Sequence, residues 1–211
     1  MRDDCRLLTR PRDCLSDLSR VDTWAGIDVG GRRKGFHGAT VDEHGLVAGP
    51  ERLGTVREAV DWLSSLRPRL VAVDSPISVA PDGERSRPCE RHLSRSVCGL
   101  RFTPPRSLLD SSPYYEWIVH GLELYEALAV ARLRAVECFP TASFTRWAGP
   151  RGGGSRAAWT REALGLDLRL NQDGRDAVAA ALTARCCELD QVEWFGEIVV
   201  PVAGASRASP R

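Results

Sequence analysis

The sequence predicts an α/β protein built on a mixed five-stranded sheet, a three-strand meander followed by two parallel strands, with helices on both faces. Three observations predict it. Continuous apolar runs at 24–28, 70–74 and 134–138 read as strands covered on both faces, and each closes on or beside a carboxylate. Two shorter apolar stretches follow the first run and are joined by a polar turn. The remaining apolar positions keep helical spacing in long blocks. A meander followed by alternating strands and helices gives a mixed sheet whose first and fourth strands lie side by side.

The elements follow in order. "WAGID" (24–28) is the first buried strand, and after Val29 come "GG" and then Arg32, Arg33 and Lys34. "GFHGATV" (35–41) and "LVA" (46–48) flank the turn "DEHG". Residues 55–66 place Val56, Ala59, Val60, Leu63 and Leu66 on one helical face. "LVAVDSP" (70–76) is an apolar run ending in Asp74 and stopped by Pro76. Residues 81–112 show no clear period and predict a long loop with one short helix. Ser112 and Pro113 suit the cap and first position of a helix running to about 131. "RAVECFP" (134–140) closes on Glu137 and is broken by Pro140, and a short helix over "ASFTRW" follows. "GPRGGGSR" is a loop, 171–189 is a strong helix, and "EIVVP" (197–201) is a last short strand or edge segment.

The 211 residues suffice for one large domain with a buried core. The expected organisation is a poorly ordered extension over 1–21, one domain over 22–202 with an Arg- and Pro-rich insertion at 81–112, and a flexible tail from 203. No run approaches the ~18–20 apolar residues of a membrane span. The N-terminus has charges but no apolar h-region, so the expected location is cytoplasmic. Net charge is +1, which excludes a global basic field, and Lys34 is the sole lysine. Seven cysteines without framework spacing read as reduced thiols, and Cys89, His92 and Cys98 fit no closed zinc site.

Asp28, Asp74 and Glu137 share a pattern, each lying at or near the end of an apolar run. Adjacent parallel strands would open all three at one rim, where sites form in such sheets. Asp173 and Asp176 are three apart on a helix and so share a face. Carboxylates gathered within ~4–6 Å repel unless a cation compensates them. A hard divalent ion, Mg²⁺ or Mn²⁺, is the economical choice, and two such ions can drive phosphodiester hydrolysis. Asp28 would then bridge metal ions. Each acid also has an ordinary role open to it. Asp28 and Asp74 suit turns, Glu137 suits pairing with an arginine, and Asp173 and Asp176 suit a helix cap and an acidic first turn.

The set "GIDVGG", "VAVDSPIS", "VECFPTASF" and "NQDGRDAVAAALTA" resembles domain-of-unknown-function family 429, the predicted ribonuclease H-like nucleases, from about Trp24 to Pro201. The resemblance implies a ribonuclease H-like fold and a metal-dependent active site at Asp28, Asp74, Glu137 and Asp173/Asp176. The last pair also resembles the D-x-x-D helix of Holliday-junction resolvases. An Arg–Cys–acid element of the family stands here as "RPCERHLSR", with Glu90 where aspartate is usual.

Nucleic acid is the expected partner. Six arginines face only Glu90 between 85 and 106, and four face no acid between 146 and 161. Arg85, Arg87, Arg91, Arg151 and Arg156 are the expected phosphate contacts. Tyr114 or Tyr115 could stack on a base. Two other readings stand beside this one. "GIDVGG" also resembles the first phosphate loop of actin-like ATPases and sugar kinases, but the chain lacks their second loop. A ribonuclease H-like binding or regulatory module without catalysis is the other, which the number of acids opposes.

Overall fold

The computed structural model describes residues 21–165 and 169–205. The expectations about the N-terminal extension and the tail fall almost wholly outside that range. Among the described residues, seven strands form one sheet in the order β3-β2-β1-β4-β5-β7-β6. The first five are β1 (Trp24–Val29), β2 (Phe36–Val41), β3 (Leu46–Leu53), β4 (Val71–Asp74) and β5 (Ala135–Cys138). They make the expected three-strand meander with two parallel strands beside β1. This is a mixed α/β sheet.

The expected strand count of five is corrected to seven. β6 (Val192–Phe195) and β7 (Ile198–Pro201) form a hairpin, and β7 joins β5 in parallel. "EIVVP" carries a visible apolar signal, whereas "VEWF" is a four-residue edge strand with half-exposed Trp194 and hides in the polar background. β3 also runs further than "LVA". Its Gly49–Pro50 pair looks like a terminator, yet an edge strand tolerates proline because its outer amides need no partner.

Among the described residues, six α-helices pack on the sheet. α1 (Val56–Leu66) and α3 (Glu116–Val130) cover one face, against Ala25, Ile27, Val29, Val71 and Val73. α4 (Pro140–Ala148), α5 (Arg156–Leu164) and α6 (Gln172–Glu188) cover the other, against Trp24, Ala39, Val41 and Ala72. α2 (Pro88–Ser96) lies in the 81–112 segment with a 3₁₀ turn at Arg106–Ser111. α5 had no clear sequence signal, because its glycine-rich approach and few apolar residues read as loop. No described helix is long and apolar enough to cross a membrane.

The approach of α6 to the sheet positions the acids. Residues 174–186 of this helix are all buried, and five of them are alanine. A Cβ on Gly26 would lie 2.1 Å from the Ala181 amide nitrogen and 2.2 Å from the Ala177 carbonyl oxygen. Helix backbone therefore rides directly on β1, which only glycine at 26 allows. Gly26→Ala must push α6 off the sheet, with an expected cost of about 3 kcal/mol, the upper part of the overpacking range. Urea denaturation measures it; a loss under 1 kcal/mol would mean that the helix and sheet separate freely.

Candidate carboxylate metal site

Strand alternation decides which acids meet. Asp28 on β1 and Asp74 on β4 are register partners, two residues beyond Gly26 and Ala72, and face α6. α6 begins at Asn171, whose side chain caps the helix by accepting from the Gly174 amide at 2.8 Å. The cap role open to Asp173 and Asp176 is thus filled, and both are free to face β1. Asp28, Asp74 and Asp176 each present an oxygen within 4.8 Å of the other two. Asp28, His37 and Asp173 form a second such group, so Asp28 is shared. His37 arrives through the β1–β2 hairpin, in which it is the register partner of Asp28.

Glu137 does not join them. It pairs in register with Val73, and Val73 and Ala135 belong to the opposite face of the sheet. Arg87 grips its carboxylate in two contacts, Nη2–Oε1 at 2.5 Å and Nη1–Oε2 at 2.7 Å, and the Ile77 amide donates to Oε2 at 2.9 Å. The expectation that Glu137 is a metal ligand gives way to the pairing with arginine. The expectation that Arg87 contacts phosphate is corrected with it, since Arg87 is 2% exposed. Arg87 also reaches Glu90 at 3.1 Å and Glu197 at 3.1 Å. Glu90 in turn accepts from the Arg87 and Thr103 amides and the Thr103 hydroxyl. The Arg–Cys–acid element is therefore a buried ionic bolt between α2 and β5.

The other arginines lie outside. Arg85 and Arg151 are exposed, and Arg91 binds the Ser86 carbonyl and hydroxyl and Glu84. Arg156, at the start of α5, places Nη2 3.4 Å from Asp176 Oδ2. A cavity of about 470 Å³ opens beside Asp74, with Trp117, Phe139 and Leu100 among its walls and Arg101 and Arg156 in its lining. Tyr114 is engaged by Arg101, whose guanidinium lies 5.1 Å from the ring centre. His120 is buried and bonds the Gly30 carbonyl at 2.9 Å.

The electrostatics are those of a site short of positive charge. Burial, then the charges of Asp28 and Asp176, push the Asp74 carboxyl well above its usual range. Burial and Asp28 push Asp176 up to about 7, against the opposing pull of Arg156 and a hydrogen bond from Gln172. Asp28 Oδ2 and His37 Nδ1 are buried without a hydrogen-bond partner. Two unpartnered buried atoms facing clustered carboxylates fit a cation, which would satisfy them and remove the repulsion.

A pH prediction follows. Folding raises the Asp176 carboxyl from 3.8 to about 7, so between those values the folded chain holds a proton that the unfolded chain has released. The stability from that proton is fully present below about pH 4 and is lost as pH rises through about 7. Metal-free protein should therefore lose about 2–3 kcal/mol between pH 5 and pH 8, at about 1.36 kcal/mol per unit. Denaturant unfolding in a chelator measures this, and a flat or rising profile would contradict it. Divalent-ion affinity should rise over the same range, because ligand carboxyls must be deprotonated.

A mixed sheet of this order, with aspartates from two adjacent central strands and one helix meeting over it, defines an α/β protein with a candidate metal centre. The chain belongs to the family described as "Protein of unknown function (DUF429)", which matches residues 26–198. Among solved structures it is similar to Thermus thermophilus RuvC, with 18% identity over 80% of this chain and 96% of that chain and a TM-score of 0.47. It is likewise similar to T. thermophilus RuvC in complex with a Holliday junction substrate, with 18% identity, the same coverage and a TM-score of 0.48. No curated protein sequence matches.

The sequence reading missed Lys34 and His37 as members of the site. A signal was present: closing a hairpin over the Gly30–Gly35 turn sets Val29 against Phe36 and thus Asp28 against His37.

Proposed function

We propose that the chain is a divalent-metal-dependent phosphodiester hydrolase acting on nucleic acid, with Asp28, Asp74 and Asp176 holding Mg²⁺ or Mn²⁺ and Asp173 beside them. One observation carries the reading: carboxylates from β1, β4 and α6 present oxygens within 4.8 Å of one another, and Asp28 Oδ2 is buried without a hydrogen bond. Gathering like charges costs stability, and a hard cation is what repays it. When bound, the ion would act as a Lewis acid on a phosphoryl oxygen. The chain supplies the rest. Arg156 stands at the rim where a phosphate would approach, with exposed Arg85, Arg151 and part-exposed Arg91 as further backbone contacts. Trp117 and Phe139, in the cavity next to Asp74, offer flat faces to an unstacked base.

The test is cleavage of labelled single-stranded RNA, RNA–DNA hybrid, duplex DNA and a four-way junction, with Mg²⁺, Mn²⁺ or EDTA. Metal-dependent cleavage of at least one substrate, lost in both Asp28→Asn and Asp74→Asn, is expected. Cleavage that survives in both variants would contradict the assignment. No cleavage together with no Mn²⁺ binding would leave the binding-module reading.

A further inference from the structure

The second group, Asp28–His37–Asp173, already contains a cation. Lys34 Nζ lies 2.8 Å from Asp173 Oδ1 and 3.6 Å from Asp28 Oδ2. His37 Nδ1 looks into the same space, 3.7 Å from Asp28 Oδ2 and 3.9 Å from Asp173 Oδ2. Those separations are too long for hydrogen bonds but suit atoms that face one small cation from different sides.

The placement of Lys34 is built. The six-residue turn between β1 and β2 is closed by Gly30 N–H to the Gly35 carbonyl at 2.9 Å and by the Lys34 and Gly35 amides to the Gly31 carbonyl at 2.9 Å. His120 fixes the Gly30 carbonyl from α3. A Cβ on Gly30 would meet Lys34 Cδ at 2.5 Å, Cβ at 2.7 Å and Cγ at 2.8 Å. The lysine stem therefore lies across Gly30, and an alanine there would dislodge it. Gly30 is explained by this contact, since it has an ordinary backbone conformation and needs the space. In a chain with 28 arginines and one lysine, that lysine sits at the carboxylates. An ammonium is a compact point charge, whereas the planar guanidinium demands a wider, forked partner.

We propose that the Lys34 ammonium is the built-in second cation of this site, so that the chain takes one divalent ion, among Asp28, Asp74 and Asp176, and keeps the Asp28–His37–Asp173 position for its own lysine. The proposal rests on the metal-dependent reading above. It makes the centre a one-ion centre, with the lysine supplying positive charge on the β2 side.

The test is Mn²⁺ stoichiometry of the full chain, from the electron-spin-resonance signal of free Mn²⁺, with pulsed measurement of nitrogen coupling to bound Mn²⁺. The wild type is expected to bind one ion without imidazole coupling. Lys34→Met should bind two, the second with nitrogen coupling that disappears in Lys34→Met/His37→Gln. Because Lys34 is the only side-chain amine, acetylating the folded wild type removes the same charge without a mutation, and should also raise the count from one to two. Two ions in the wild type, with His37 coupling, would overturn the proposal and leave the hydrolase reading standing. One ion in both the lysine variant and the acetylated protein would overturn it too. No bound ion in any of these proteins would remove the proposal together with the reading beneath it.

Discussion

Replacing Asp28 by asparagine is expected to weaken Mn²⁺ binding more than about 100-fold and, without metal, to make the fold more stable. Loss of a partner one shell out from a metal already costs about 10–100-fold in affinity, and Asp28 is a direct candidate ligand common to both oxygen-rich groups. The opposite sign for stability comes from charge. Asp28 is among the largest charge contributions holding the Asp74 and Asp176 carboxyls up. Removing it lets both ionise more readily, while Lys34 keeps its 2.8 Å contact to Asp173. At pH 8 the metal-free variant should be more stable by about 1–2 kcal/mol, a trade of stability against function seen at many active sites. Calorimetry with Mn²⁺ and urea unfolding in EDTA measure the two halves. Unchanged affinity, or a metal-free variant less stable than wild type, would mean that Asp28 is a structural residue.

Arg87→Ala is expected to cost about 3–5 kcal/mol, the range for breaking a buried ion pair by removing one partner. Glu137 and Glu90 would be left buried, 4% and 1% exposed, without their shared counter-charge. Glu137→Gln on the same background should recover part of the loss, because it removes one of the stranded charges. A double-mutant cycle gives the coupling. Neither change should alter Mn²⁺ affinity by more than a few-fold, since both residues lie on the α1/α3 side of the sheet. A large loss of metal binding in Glu137→Gln alone would return Glu137 to the ligand set.

Glu137 shows how far the sequence could be read. Three apolar runs ending in acids were visible, and the parallel placement of β1, β4 and β5 followed from their order. Position along a strand was legible; the face was not weighed. Counting alternation back from each end puts Asp28 with Gly26 and Asp74 with Ala72, on the α6 side, but Glu137 with Ala135 on the other. The pairing of Arg87 with Glu137 spans 50 residues and depends on where α2 docks, which no local pattern encodes. Asp173 and Asp176 were found by helical spacing, yet their freedom depends on Asn171 taking the cap. Lys34 and His37 were hidden differently. They are single residues in a turn and an edge-side strand, and only the hairpin register brings them to Asp28.

The most direct test of the metal centre is anomalous diffraction from crystals grown with Mn²⁺. The account predicts the strongest peak about 2 Å from oxygens of Asp28, Asp74 and Asp176, with Glu137 still on Arg87. A peak at Glu137, or crystals saturated with Mn²⁺ that show no peak among the three aspartates, would contradict it.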